Sequence, residues 1–330
     1  MNQMIRTPKR WLGLLFVLLI GVTYLSIGVG AVWIGPAGIF EYLIGGDAAG
    51  QAYIIENFRL PRIVVGLLAG MGLGLSGAVL QGVIRNPLAS PDVIGITKGA
   101  GLAAAAVILL YPGLPVLALP AAAFSGAGIV MIGLYVFAFR RGVQPAALAL
   151  IGIALGAVCQ AGIQFLTIKF PLETNAALVW LTGSVWGKDW TDVLLLAPFI
   201  LIVAPVTWLL SRKLDVLNLG DDVAEGLGEP VQKARLALLA LAVVLAGAAV
   251  AVVGTLGFVG LIAPHIARQI VGNRHTYLIP ASALTGALLL VTADSLGRGL
   301  FPPTEVPAGI FTAVIGAPYF LFLLRKIQKS

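Results

Sequence analysis

Charge is what this sequence lacks. Of 330 residues, 11% are Asp, Glu, Lys or Arg and 59% are hydrophobic, whereas soluble domains run at about 25% charged and about 45–50% apolar. So few charges cannot cover a water-facing surface, which excludes an ordinary soluble enzyme; the apolar excess excludes a disordered chain. Cysteine occurs once, at Cys159, so there is no internal disulfide and no Cys-rich metal site. Histidine occurs twice, at His265 and His275, a pair that makes no metal-binding pattern. The 41 glycines and 19 prolines follow no collagen-like period. No GxxxxGK[ST] loop occurs, so this chain does not hold ATP by a P-loop; if ATP drives it, a partner supplies the ATPase.

What is abundant is long apolar sequence. Stretches free of Asp, Glu, Lys, Arg and His cover 11–40, 63–84, 99–139, 142–168, 193–211, 236–264, 276–293 and 306–324. A membrane-crossing helix needs about 20 such residues; strands of a barrel would be about 9–11 long and alternate, which these do not. The run 99–139 is broken by Tyr111-Pro112-Gly113-Leu114-Pro115, which is turn chemistry. The run 236–264 is interrupted by Gly254, Gly257, Gly260 and Pro264, and apolar character resumes after His265. Splitting both predicts ten helical spans, the eighth of them short, in a single transmembrane domain covering 1–330. The segment 174–187, with Trp180 and Trp186, is too short to cross and reads as an interfacial or re-entrant helix. Arg6, Lys9 and Arg10 precede the first apolar run as a signal peptide's n-region would. That run is about 20 residues, longer than the usual h-region of about 7–15, and so reads as an uncleaved span.

The basic residues orient the spans. With the N-terminus inside, Arg59, Arg62, Lys169, Lys188 and Arg298 fall outside and the other sixteen of the 21 Lys and Arg residues fall inside. The positive-inside rule then places both termini in the cytoplasm. It also accounts for most of the net charge of +7, and a nucleic-acid partner is not needed.

Several local patterns carry two readings. The glycines Gly72, Gly74 and Gly77 spell GxGxxG, but inside a transmembrane run they lack the strand a dinucleotide site requires. Gly66, Gly70 and Gly74 instead share one smooth helix face, as do Gly152 and Gly156, where another helix can approach closely. A shift of 177 residues lays Ala69-Gly70 on Ala246-Gly247, Gly77 on Gly254, Pro87 on Pro264 and Gly95 on Gly272, a candidate inverted repeat of the kind transporters use. The segment 85–92, with Asn86, Pro87 and Leu88, is either a tight turn or the lip of a gate. In the cytoplasmic segment 212–235, Asp222 with Glu225 resembles a capping box, predicting a short helix to about Leu227 that stops at Gly228 and Pro230. That helix is either part of a solvated loop or a docking element. Asp294 lies four residues before Arg298, which reads as a local ion pair. Gln160 and Gln164 share a face that either lines a polar path or bonds a neighbouring helix.

Taken together, Arg59-Leu60-Pro61-Arg62, Gly70 to Gln81, RNPLASPDVIG at 85–95, GFVGLIAPHIARQIVG at 257–272, Glu305-Val306-Pro307-Ala308-Gly309-Ile310 and Gly316-Ala317-Pro318-Tyr319-Phe320 resemble the FecCD-type permeases. These are membrane subunits of bacterial ABC importers for iron-siderophore complexes, haem and cobalamin. The stretches 180–184 and 217–228 fit the same pattern, and the resemblance spans roughly 55–325. It implies a ten-helix subunit in the bacterial cytoplasmic membrane, paired with a second permease, identical or paralogous. It also implies two cytoplasmic ATPase subunits, which bind ATP and Mg, and an extracytoplasmic substrate-binding protein. This chain would carry no cofactor and no covalent chemistry. An Fe(III)-siderophore is the expected cargo, with haem or cobalamin as the alternative. Carried onto this sequence, Arg59, Arg62 and Arg298 would dock the binding protein, and Asn86, Pro87 and Leu88 would form the cytoplasmic gate. Asp222, Ala224, Glu225, Gly226, Leu227 and Gly228 would couple to the ATPase, and Gln81, Gln160 and Gln164 would border the pathway. The turn Gly142-Val143-Gln144-Pro145 departs from the pattern by lacking a small hydroxyl pair. A proton-coupled secondary transporter is the competing class, but it needs membrane-buried acids or histidines, and only Asp294 and His265 come near.

Overall fold

A computed structural model describes residues 7–46, 50–139 and 144–327. Arg6, Arg140, Arg141, Lys329 and the residues Gly142 and Val143 of the departing turn lie outside that set. Among the described residues there is no strand. The chain runs through α1 (Pro8–Gly28), α2 (Pro36–Leu43), α3 (Ala52–Ile54), α4 (Leu60–Ile84), α5 (Ile96–Leu110), α6 (Ala118–Phe139) and α7 (Pro145–Lys169). It continues through α8 (Thr174–Thr182), α9 (Trp190–Leu209), α10 (Ser211–Leu217), α11 (Asp221–Gly226), α12 (Val231–Val253), α13 (Val259–Val271), α14 (His275–Gly299) and α15 (Ala308–Ile327).

Among the described residues, seven helical stretches are long and apolar enough to cross a bilayer: Pro8–Gly28, Ala52–Ile84, Ala118–Ala138, Pro145–Lys169, Trp190–Leu209, Val231–Val253 and His275–Gly299. Ile96–Leu110, Val259–Val271 and Ala308–Phe322 are shorter apolar helices. The two breaks expected from turn chemistry are present. The helix α5 stops at Leu110 before the Pro-Gly turn, and α12 stops at Val253, with Gly254 in a left-handed conformation at φ 76°. The short element expected over 174–187 is α8, closed by Gly183 at φ 76°.

The helix α4 sits at the centre. It is apolar all round, the signature of a helix with no solvent face, and 83% of its most apolar window is buried, against 22% for α7 and α9. The helices α14, α12, α13 and α9 pack around it. Lipid is as apolar as a leucine side chain, so helices in a membrane gain by close backbone approach rather than by escaping water. Glycine supplies that approach here. A Cβ on Gly70 would stand 2.4 Å from the Gly286 carbonyl oxygen of α14, and one on Gly77 would stand 1.7 Å from that of Gly260 in α13. Gly66 behaves differently, since its Cβ would meet only the Val291 side chain at 3.5 Å. Gly152 and Gly156 accept the Ile94–Gly95 turn rather than a helix. Under the shift of 177, α4 falls largely on α12 and α5 on the first half of α14, whereas Pro87, in a turn, falls on Pro264 inside α13.

Candidate functional site

Two polar clusters close the bundle at opposite ends. The first gathers where α4 begins and α14 ends. The sequence leads into it through a π-helical turn, Ile55–Arg59, that joins α3 to α4 and carries Arg59. Such turns occur often at functional positions. Arg62 Nε donates to Asp294 Oδ1 at 3.0 Å and Nη2 donates to the same oxygen at 2.7 Å, while Nη1 donates to Glu305 Oε2 at 2.6 Å. Arg298 Nε lies 3.0 Å from Asp294 Oδ2. The Arg298 Nη2 group donates to the Ser26 carbonyl and hydroxyl at 3.2 and 2.7 Å, and Nη1 donates to the Val29 carbonyl at 3.1 Å. Arg59 Nη2 donates to the Val32 carbonyl at 3.1 Å. All three arginines are buried, Arg298 to 1% exposure. The local Asp294–Arg298 pair expected from spacing exists, but it is one arm of a larger arrangement: Asp294 is the counter-charge of two arginines, one of them 232 residues away.

Two clefts open over this cluster. One, of about 830 Å³, has Arg62 and Glu305 on its polar side and Trp180, Val179, Val252 and Pro307 on its apolar side. The other, of about 560 Å³, is bordered by Arg59, Arg298, Lys188 and Asp189. The start of α9 beside them is held by a reciprocal cap. Asp189 Oδ1 accepts from the Thr191 and Asp192 amides, and Asp192 Oδ2 accepts from the Asp189 amide at 3.2 Å.

The second cluster lies where α4 ends. Arg85 takes a left-handed conformation at φ 53° as the C-cap of α4. In the turn that follows, Asn86 Oδ1 accepts from the Leu88 amide at 2.9 Å and Ser90 Oγ accepts from the Val93 amide at 3.3 Å. Arg85 pairs with Asp221, the first residue of α11. Arg235, fully buried at the start of α12, donates to the same Asp221 oxygen at 2.8 Å. Burial pushes the Asp221 carboxyl up, but hydrogen bonds and charge from Arg235 and then Arg85 outweigh it and hold the carboxyl below its ordinary range. Asp215 of α10 caps α14 from outside: its Oδ1 accepts from the His275 amide at 3.0 Å and lies 2.7 Å from His275 Nδ1. Burial again opposes ionisation, and the His275 bonds followed by the Arg274 charge hold Asp215 low. A cleft of about 610 Å³ here is bordered by Gln81, Asn86, Pro87, Asn218, Arg268 and His275.

The helix α11 matches the short element expected from the Asp222 cap to about Leu227, with a different cap. Gly220 is the N-cap at φ 112° and no side chain caps the helix. The expected Asp222–Glu225 box is therefore out of register by two residues. The other end is a Schellman closure: the Glu229 amide donates to the Ala224 carbonyl at 3.0 Å, and the Gly228 amide donates to that of Glu225 at 2.9 Å. Within α11 Ala224 alone is buried, while Val223 in the helix, Leu219 before it and Leu227 at its C-cap are exposed apolar side chains. Asp222, Glu225, Gly226 and Gly228 are exposed around it. The expected pathway residues separate. Gln81 is buried and joins helices, donating from Nε2 to the Leu261 carbonyl at 3.2 Å and accepting from Arg268 at 3.3 Å. Gln160 is half-buried and Gln164 exposed on α7. Glu305, Asp221, Arg85 and Arg235 were not singled out from sequence. Arg235 carried the clearest signal, as a charge at the start of a long apolar run. Among the described residues no group of three or more His, Cys, Asp and Glu side chains could hold a metal ion.

This arrangement, a glycine-packed helical bundle with a buried charge cluster at one end and a short apolar-faced helix at the other, defines a multi-pass membrane protein of the permease class. Residues 17–326 match the model of the FecCD transport family, and the chain belongs to that family. It is 56% identical over 312 residues to the Fe(3+)-citrate import system permease protein YfmE of Bacillus subtilis (strain 168), covering 94% of this chain and 93% of that one. It is 44% identical over 278 residues to the Fe(3+) dicitrate transport system permease protein FecD of Escherichia coli (strain K12), covering 84% and 86%. A solved inward-facing structure of an ABC transporter superposes with a TM-score of 0.85 at 30% identity, over 97% of this chain and 99% of that one.

Proposed function

We propose that this chain is the membrane permease subunit of a bacterial ABC importer that carries an Fe(III)-siderophore or ferric citrate complex across the cytoplasmic membrane. The observation that carries this reading is the 56% identity, over nearly the whole chain, to a permease named for Fe(3+)-citrate import. In this reading the seven long and three shorter apolar helices each cross once, and the uneven distribution of Lys and Arg supports cytoplasmic termini. The cluster around Arg62 then faces outward, and the cluster around Asp221 faces the cytoplasm.

In this reading the subunit works with a second permease, two ATPase subunits and a binding protein. Arg62 and Arg298 spend their donors within the chain, and among the described residues Arg59 has no carboxylate within ion-pair distance. Arg59 is thus the arginine of the three whose charge is left to steer an acidic binding protein, which acts chiefly on association rate. Asn86, Pro87 and Leu88 form the cytoplasmic gate, α11 docks on the ATPase through Leu219, Val223 and Leu227, and Gln160 and Gln164 face the partner permease across the path. No step changes a covalent bond of the cargo.

The test is reconstitution in proteoliposomes with the ATPase subunits and the binding protein, using radiolabelled ferric citrate and a ferric hydroxamate. Uptake that needs ATP and the binding protein is the expected result. Uptake of cobalamin or haem instead would reassign the cargo. A proton gradient driving uptake without ATP would overturn the importer reading.

A further inference from the structure

The Asp221 carboxylate stands between two things that have to move together, and the inference here rests on the transport reading above. The helix α11 has six residues and buries only Ala224, so its own packing holds it weakly. What ties it to the bundle is the carboxylate at its first position, which receives Arg235 from α12 and Arg85 from the end of α4. The two arms differ. Arg235 is fully buried and donates to Asp221 at 2.8 Å where water has no access, so this arm does not exchange readily. The Arg85 side chain is 28% exposed and can exchange its partner for water. Arg85 also directly precedes Asn86, Pro87 and Leu88, in a turn stiffened by the Asn86 and Ser90 bonds. Its left-handed backbone is uncommon for a residue other than glycine, and such outliers persist where the surroundings fix them.

We propose that Asp221 and Arg85 form a latch, anchored by Arg235, through which displacement of α11 is transmitted to the 85–92 turn. Arg85 is then a positioning residue: it touches neither cargo nor nucleotide and acts through Asp221. When α11 shifts with a docked ATPase, Asp221 stays with Arg235, and the Arg85 arm either pulls the turn or parts from it. The latch gives the gate two arrangements, one with Arg85 held and one with it released.

The experiment compares wild type, Arg85→Gln, Arg85→Gly, Asp221→Asn and the double variant Arg85→Gln/Asp221→Asn in the reconstituted complex. Cargo taken up per ATP hydrolysed is read alongside ATPase co-purification and the detergent melting temperature. Arg85→Gly suits the left-handed backbone and so removes the latch without straining the fold. Both Arg85 variants should retain the ATPase and melt as wild type does, while cargo per ATP falls roughly five-fold or more, the lower end of the usual coupling range. In the Asp221→Asn background, Arg85→Gln should add no further loss. Wild-type stoichiometry in both Arg85 variants overturns the latch, as does a loss that is simply additive with Asp221→Asn. Absence of ATP-driven uptake in the wild type overturns the transport reading and the latch with it; normal wild-type uptake with normally coupled Arg85 variants overturns the latch alone.

Discussion

Arg62 and Asp294 meet edge to edge, with two guanidinium nitrogens of Arg62 donating to one carboxylate oxygen of Asp294 at 2.7 and 3.0 Å. The second oxygen of Asp294 faces Arg298 at 3.0 Å. One acid therefore compensates two buried cations, with Glu305 assisting on Arg62 alone. Removing the shared acid is expected to cost more than removing either base. Asp294→Asn should destabilise by about 3–5 kcal/mol, the usual loss when a buried charge is stranded, and Arg62→Met by distinctly less, since Asp294 keeps Arg298. Unfolding of the detergent-solubilised protein measures both. Equal losses, or a larger one for Arg62→Met, would show that Asp294 is not the hub.

The centre of the bundle makes a prediction of opposite character. Gly77 and Gly66 are both small positions on α4, yet an added methyl at Gly77 would strike the Gly260 backbone and one at Gly66 would rest in ordinary contact with Val291. Gly77→Ala is expected to cost about 1–3 kcal/mol or more through overpacking. Gly66→Ala should be neutral or slightly stabilising, through the helix preference of alanine. Comparing folded yield and melting temperature of the two variants decides the point.

At the α11 end of the bundle, Val223 of the helix, with Leu219 before it and Leu227 at its C-cap, exposes apolar surface that so short a helix does not need for its own packing. Leu227→Glu should leave the permease folded and inserted, because nothing in the bundle rests on that side chain. It should weaken ATPase co-purification at least ten-fold, the scale of a lost apolar anchor of about 1.4 kcal/mol or more. Full retention of the ATPase by this variant would remove α11 from the interface.

The acid limb of stability should report Asp221. Its carboxyl is held below the ordinary value near 3.8, so its contribution is fully present above that value and is lost as pH falls through the lower, folded one. Wild type should therefore lose melting temperature on acidification below about pH 4, and Asp221→Asn should start lower and fall less over the same window. Asp215, also held low, contributes in the same direction in both proteins. Parallel curves for the two proteins would refute the assignment.

The sequence is read best where the physics is local. A Pro-Gly turn stops α5, left-handed glycines close α8 and α12, and the short helix before Gly228 forms where turn residues mark its end. It is read worst where a charge is answered from far along the chain. A search for uncharged runs begins the second span at 63, but the helical rod begins at Ala52 and passes through Glu56, Arg59 and Arg62. Likewise α14 continues through Asp294 and Arg298 to Gly299. Nothing near Arg62 in sequence indicates a partner 232 residues on, and nothing near Asp221 indicates that Arg85 reaches it. The cap of α11 fails for a smaller reason: Gly220 takes the N-cap, which leaves Asp222 and Glu225 inside the helix instead of at its threshold.

The position of α4 has a consequence for how the protein is made. A ribosome adds residues at roughly 5–20 per second, so the 232 residues separating Arg62 from Asp294 take roughly 10–50 s to synthesise. Throughout that time the guanidinium of Arg62 has no Asp294, and for most of it Gly70 has no Gly286 to pack on and Gly77 has no Gly260. Its charge is kept in the interfacial region, where a long basic side chain can reach water. The innermost helix of the folded subunit is thus among the first translated and among the last to be enclosed, and its final seating waits for the arrival of α14.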